Sequence, residues 1–286
     1  MTEPTLSNPL SVAQALTLAA QRGLPRVDAQ MLLLHLMQQP GHARAWLITH
    51  DTDILSAEQQ ARWNELCAQR QQGAPVAYLT GHKEFYGLEL AVDARVLDPR
   101  PDTETLVDWA LELLPEGAAH RVVDLGTGSG AIALALQSQR PAAQVVAVDA
   151  SADALAVAQV NARHLNLRVQ FAHGSWLEPL AGQPPADLIV SNPPYIRADD
   201  PHLAALTHEP LSALASGADG LEDIRSIIDQ TPSQLKAGGW LLFEHGWDQA
   251  HDVAQLMQAA GFEQVQNRND LAGIARCTGG CWPGLI

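Results

Sequence analysis

The sequence predicts an α/β protein: a parallel, doubly wound sheet preceded by a small helical bundle and a connecting β-hairpin. Three observations carry that prediction. From residue 96 onward, short apolar runs alternate with helical stretches; residues 1–80 show helical periodicity and no strand alternation; between them lies one alternating segment flanked by glycines. The expected domains are therefore a helical one at 1–80, a hairpin linker at 81–95 and a sheet domain at 96–286.

In the helical part, "SAEQQARWNELCAQRQQG" places Ser56 to cap a first turn, with Gln59 at the reciprocal capping-box position. Trp63, Leu66 and Cys67 then share one face, and Gly73 and Pro75 end the helix. The apolar stretch "VDAQMLLLHLMQQPG" reads as a buried helix running to Pro40-Gly41. In the linker, Gly81 and Gly87 flank a short aromatic run, after which "LELAV" alternates as a strand does.

In the sheet domain the strands are "RVVDLG", "QVVAVDA", "RVQFAHG", "ADLIVSN" and "GWLLFEHG", separated by helices such as "AIALALQSQ" and "ALAVAQVNARHL". Ligands of such sheets bind at the carboxyl ends of strands, so function is sought there.

Bulk properties narrow the classes. No apolar run reaches the roughly 18 residues needed to span a bilayer, and "MTEPTLSNPL" lacks the basic flank and apolar stretch of a signal peptide. The expectation is a soluble, cytoplasmic protein with no membrane partner. A net charge of -15, with lysine only at Lys83 and Lys236, argues against tight binding to a phosphate backbone. Cys67, Cys277 and Cys281 lack paired spacings and a histidine cluster, so they read as reduced thiols, with no metal site.

The first strand ends in "DLGTGSGA", residues 124–131. Gly126 and Gly128 permit a tight turn and close approach of backbone to ligand, while Gly130 and Ala131 let the helix pack near the strand. Taken alone, a plain glycine-rich turn reads the same way. The next strand ends in Asp149, placed to accept hydrogen bonds from ribose hydroxyls, and the pair points to an adenosine-containing cofactor. NAD and S-adenosylmethionine both satisfy this pattern. Asp124 favours the second, because a carboxylate there suits the amino group of a methionine moiety and repels a pyrophosphate. Trp176, beyond the third strand, can pack against adenine or simply fill a gap between loop and core.

The fourth strand ends in "SNPPY". Pro193 and Pro194 bring carbonyls without N–H donors, and with the Asn192 side-chain oxygen they make a site rich in acceptors. Such a site suits an NH2 group. An amide or aromatic amine nitrogen is a poor nucleophile because its lone pair is delocalised; a pocket accepting both hydrogens can aim the nitrogen at a methyl-bearing sulfur. Tyr195 can stack on the planar group. A four-residue pattern that merely ends a strand and opens a turn is the plainer alternative.

The chain at this point resembles the PrmC/HemK family, the N5-glutamine methyltransferases of peptide chain release factors, of the class I methyltransferase fold. The likeness runs through "PVAYLTGHKEFYG", "VLDPRPDTETLV", "DLGTGSGAIALAL", "NPPYI", "HEPLSALASGADGL" and "DLAGIAR". "NPPY" alone is shared with adenine methyltransferases; the flanking segments point to the glutamine-modifying branch. The resemblance implies methyl transfer from S-adenosylmethionine to the glutamine amide of a release factor's GGQ loop. Gly126, Thr127, Gly128, Ser129, Gly130, Asp149, Trp176 and Asn192 would contact the cofactor. Asn192, Pro193, Pro194 and Tyr195 would hold the glutamine, with Asn192, Pro193 and Tyr195 carrying catalysis. Release factors are the implied partners of a monomer that holds no stable nucleic acid. Arg100, Pro101, Thr103 and Glu104 match the segment ahead of the glycine turn and rank second. Glu209, Pro210, Glu244 and Gly246 read as structural, and Asp98 stands where an apolar residue is more usual. The tail "CTGGCWPGLI" matches no family feature.

Overall fold

The computed structural model describes residues 9–284, which divide into two compact units that meet between Gly81 and His82. The first is helical: α1 (Val12–Gln21), α2 (Arg26–Leu36), α3 (Arg44–Thr49), α4 (Ala57–Gln71) and α5 (Val76–Thr80). Ser56 caps α4 as its sequence requires, its hydroxyl accepting from the Gln59 amide at 3.2 Å while Gln59 accepts from the Ser56 amide at 2.9 Å. Trp63, Leu66 and Cys67 on α4 pack with Leu32 and Leu33 of α2 in one buried cluster. Helix α2 stops at Leu36, short of the expected Pro40-Gly41, because Gln38 takes a left-handed conformation with φ of 55°.

The second unit opens with a hairpin, β1 (His82–Phe85) and β2 (Leu88–Ala91), turned by Tyr86 and Gly87, both at positive φ. The hairpin is fastened to the sheet unit. Asn161 accepts from the Ala91 amide at 2.7 Å and donates to the Ala91 carbonyl at 3.0 Å and the Ser129 carbonyl at 2.9 Å. Then come α6 (Glu104–Leu113), β3 (Arg121–Leu125), α7 (Ala131–Gln139), β4 (Gln144–Asp149), α8 (Ala152–His164), β5 (Val169–His173), β6 (Ala186–Ser191), α9 (Glu222–Gln230), β7 (Leu235–Glu244), α10 (Ala250–Ala259), β8 (Glu263–Asn269) and β9 (Ala275–Cys281).

The large sheet has seven strands in the order β5-β4-β3-β6-β7-β9-β8. The five strands expected from sequence run parallel to one another, and the apolar runs of β3, β4, β6 and β7 are buried as strands covered on both faces must be, while β5 at the edge is only half-buried. The strand order reverses between β3 and β6, creating the crevice where doubly wound sheets take ligands.

Two strands escaped the sequence reading. The sheet is not wholly parallel: β9 runs antiparallel between β7 and β8, so "CTGGC" in the unassigned tail is an internal strand. Glycine hides this from a propensity argument but is needed there. A Cβ on Gly279 would overlap Leu242 and stand 2.7 Å from Trp109, while one on Gly280 would press Phe262 and Val265 at 3.1 Å. We expect Gly279→Ala to cost about 1–3 kcal/mol through overpacking, lowering the melting temperature of the sheet unit by roughly 3 to 10 °C in a thermal unfolding scan. An unchanged melting temperature would contradict this placement of β9.

Candidate active site

Two loops leave the sheet at its crevice. From β3 comes 126–130, whose Gly126, Gly128 and Gly130 all have positive φ, a backbone that β-carbon-bearing residues resist. From β6 comes 192–195. The strands are in register, Leu125 beside Ser191, and the Ser191 hydroxyl donates to the Leu125 carbonyl at 2.8 Å. A cavity of about 420 Å³ opens there, lined in part by Gly126, Gly128, Asp149, Trp176, Asn192 and Pro194.

The glycine turn is held from below. Asp124 is fully buried; its Oδ2 accepts from the Thr127 hydroxyl at 2.6 Å and from the Ala133 amide at 3.2 Å. Its Oδ1 is buried with no hydrogen-bond partner among the described residues. Burial raises this carboxyl to about 7; the bonds from Thr127 and Ala133 oppose the rise and the nearby charge of Asp149 adds to it. Thr127 and Ser129, expected at the cofactor, are themselves buried and do not line the cavity. Gly130 is placed for packing: a Cβ would meet Leu134 at 3.0 Å and Ala158 at 3.2 Å.

Asp149 does line the cavity. Its carboxylate also ties the turn together, accepting from the Gly128 amide at 2.9 Å and the Ser151 amide at 2.8 Å, which leaves further lone pairs on each oxygen. Trp176 sits at φ 45°, a conformation costly for a bulky residue, with its ring against Gly126, where a Cβ would approach to 3.4 Å. The ring thus forms part of the cavity wall, not merely a core filler.

At the β6 end, the Asn192 Nδ2 donates to the Thr103 hydroxyl at 3.3 Å. Neither Pro193 nor Pro194 has its carbonyl engaged by another described residue. The Tyr195 carbonyl differs: it accepts from Gln249 Nε2 at 3.0 Å and packs so close to Gly220 that a β-carbon there would collide with it. Pro193 and Tyr195 lie beside the cavity lining rather than in it. The Tyr195 phenol is pushed well above its ordinary range, first by burial and then by the charge of Glu244, so it stays neutral.

The structure also brings in residues that the sequence left second or structural. Thr103 touches Asn192 directly. Glu244, at the end of β7 and 1% exposed, faces both Thr103 and Asn192. Its carboxyl is raised to about 7 by burial, against the pull of hydrogen bonds from Thr103 and Asn192 and the charge of Arg276. The signal in the sequence was a lone carboxylate closing an apolar strand, "GWLLFE". Arg100 bonds Glu209 at 2.5 Å and Asp98 at 3.5 Å, and Lys83 reaches Asp98 at 3.2 Å. That explains a buried aspartate at 98, and it clasps the segment carrying Val96 and Leu97 to the one carrying Pro210, both of which line the cavity. Glu104 instead accepts from the Tyr86 amide at 3.0 Å, a structural bond to the hairpin.

Comparison with known proteins gives the following. Residues 103–221 match the Methyltransferase small domain family, and residues 10–81 match the PrmC N-terminal domain family. A release factor glutamine methyltransferase of Bordetella pertussis is 49% identical over 92% of this chain and 97% of its own. One from Xylella fastidiosa, strain Temecula1, is 48% identical over 95% of this chain and 98% of its own. Among solved structures, a T. thermophilus 16S rRNA N2 G1207 methyltransferase in complex with AdoMet and guanosine has a TM-score of 0.53 at 18% identity, covering 70% of this chain and 49% of that one; it shows a shared fold.

The orphaned oxygen of Asp124 has a consequence in pH. A carboxyl raised by folding contributes stability that is present below its unfolded pKa, near 3.8, and is lost as pH rises through about 7. Asp124→Asn should therefore gain stability relative to the parent across that window, on the order of 2 kcal/mol by urea unfolding. A difference that does not change with pH would contradict the buried, unpaired carboxylate.

Proposed function

The chain belongs to the release factor glutamine methyltransferase family, and from that premise we propose how its own residues perform the transfer. The protein is an S-adenosylmethionine-dependent protein-(glutamine-N5) methyltransferase, acting on the side-chain amide of the glutamine in a release factor's GGQ motif. The observation that carries the proposal is the meeting of a glycine-turn cavity with unengaged acceptors at the end of β6.

The residues present fit the cofactor. Asp124, fully buried beneath the glycine turn and outside the cavity lining, puts a carboxyl behind the site whose charge favours a cationic ligand without touching it. Asp149 retains lone pairs for ribose hydroxyls, Trp176 offers a ring face to adenine, and Gly126 and Gly128 keep side chains out of the way. S-adenosylmethionine supplies a methyl group on a positively charged sulfur, so the leaving group needs no acid.

The protein's task is to position a weak nucleophile. With Nδ2 of Asn192 turned to Thr103, its Oδ1 is left for one hydrogen of the glutamine NH2, and the Pro193 carbonyl is left for the other. Held by both hydrogens, the amide presents a face of its nitrogen to the methyl. Tyr195 stays protonated and so serves as a wall rather than a base; the surplus proton leaves after transfer, when the nitrogen is acidic.

The helical unit, residues 9–81 of the described chain, is read as a grip on the release factor, and the enzyme as a cytoplasmic monomer that needs neither nucleic acid nor membrane. Supporting this, the net charge is -15, and no helix among the described residues is long and apolar enough to cross a membrane.

Asn192→Ala should reduce incorporation of labelled methyl into a release factor by at least about a hundredfold, the loss of a group that orients the nucleophile. Binding of the release factor should stay within about threefold. Incorporation at the parent rate would refute the acceptor role of Asn192. Equilibrium binding should detect S-adenosylmethionine and not NAD, and the reverse would overturn the cofactor assignment.

A further inference from the structure

The two ends of an asparagine side chain are nearly identical in shape but opposite in hydrogen bonding, so a site that needs the oxygen must choose between them. Packing cannot choose. The choice falls to whatever meets the buried end of the amide. In this protein that end meets Thr103, at 3.3 Å from Nδ2, and lies near Glu244, whose buried carboxyl is held down by the neighbouring polar groups of Thr103 and Asn192.

An ionised carboxylate can only accept. A Thr103 hydroxyl that spends its one proton on such a carboxylate offers Asn192 a lone pair, in keeping with the Nδ2 of Asn192 at 3.3 Å. Asn192 must then turn its NH2 inward and its oxygen toward the cavity. We propose that Glu244, acting with Thr103, is a positioning residue that fixes the polarity of the Asn192 amide and so makes the acceptor that the glutamine NH2 requires. The inference rests on the reading of Asn192 as that acceptor.

Glu244 suits the task because nothing else claims it. It is 1% exposed, and its Oε2 has no hydrogen-bond partner among the described residues, an arrangement that is costly unless the charge serves a purpose. Arg276 of β9 faces it and supports the anion; Asp102, in the turn ahead of α6, opposes it. The other titratable neighbours stay neutral: burial pushes Tyr195 and Cys277 up, and it pushes the adjoining His245 down. When Glu244 takes up a proton it becomes a donor, and the constraint on Asn192 is released.

The sign in pH follows. With release factor and cofactor both saturating, kcat should rise with pH through about 7, the value to which burial lifts Glu244. Glu244→Gln, whose amide can donate at every pH, should lower kcat at least tenfold and abolish that step, while the dissociation constant for S-adenosylmethionine stays within about twofold. Asp124 is raised to a similar value, so its titration would persist in Glu244→Gln, and loss of the step assigns it to Glu244. Thr103→Val should lower kcat similarly, with Thr103→Ser recovering most of it; the cofactor affinity of each variant reports that it is folded. If Asn192→Ala is inactive but Glu244→Gln keeps the parent kcat and pH profile, the polarity proposal is wrong and the acceptor reading survives. If Asn192→Ala is active, both fall.

Discussion

Leu125 and Ser191 are neighbours in one parallel ladder, and the Ser191 hydroxyl closes on the Leu125 carbonyl at 2.8 Å. The site depends on this pairing. Because the strand order reverses between β3 and β6, the chain leaves these two ends in different directions and opens a crevice between them. The glycine turn belongs to one lip and Asn192 to Pro194 to the other, so in the proposed function a methyl donor held by the first would lie beside an amide held by the second. A slip of register by one residue would turn Asp124 and Ser191 to the opposite face of the sheet and dissolve the site.

Asp124 and Glu244 lie at the carboxyl ends of β3 and β7, are essentially unexposed, and each leaves one oxygen without a partner among the described residues. Burial raises both to about 7. They differ in what they can meet: Asp124 lies under the turn that would carry a cationic cofactor, whereas Glu244 sits behind the asparagine proposed to address a neutral amide. Glu209 and Asp98 differ in being ion-paired, to Arg100 and Lys83, and act as clasps between segments.

The sequence made much of this visible. The parallel strands are visible as apolar runs, and four of the five carry a polar residue at or next to their carboxyl end: Asp124, Asp149, Ser191 and Glu244. The capping box at Ser56 and Gln59 was legible because its chemistry is local. Strands β8 and β9 were not, since "EQVQNRN" is polar at an edge and "ARCTGGC" owes its place to the thinness of glycine beside Trp109 and Leu242. Thr103 and Glu244 stand 141 positions apart in the chain (244 minus 103), and only the fold shows that both lie near Asn192. Of the carbonyls in "NPPY", those of the two prolines are not engaged by another described residue, whereas the Tyr195 carbonyl is already engaged by Gln249.

The most direct test of the account is mass spectrometry of a release factor incubated with this protein and S-adenosylmethionine, digested to isolate the peptide containing GGQ. The account predicts a gain of one methyl group, located on the glutamine side-chain amide and absent when that glutamine is replaced. A methyl group elsewhere on the release factor, or one that persists after the replacement, would contradict it.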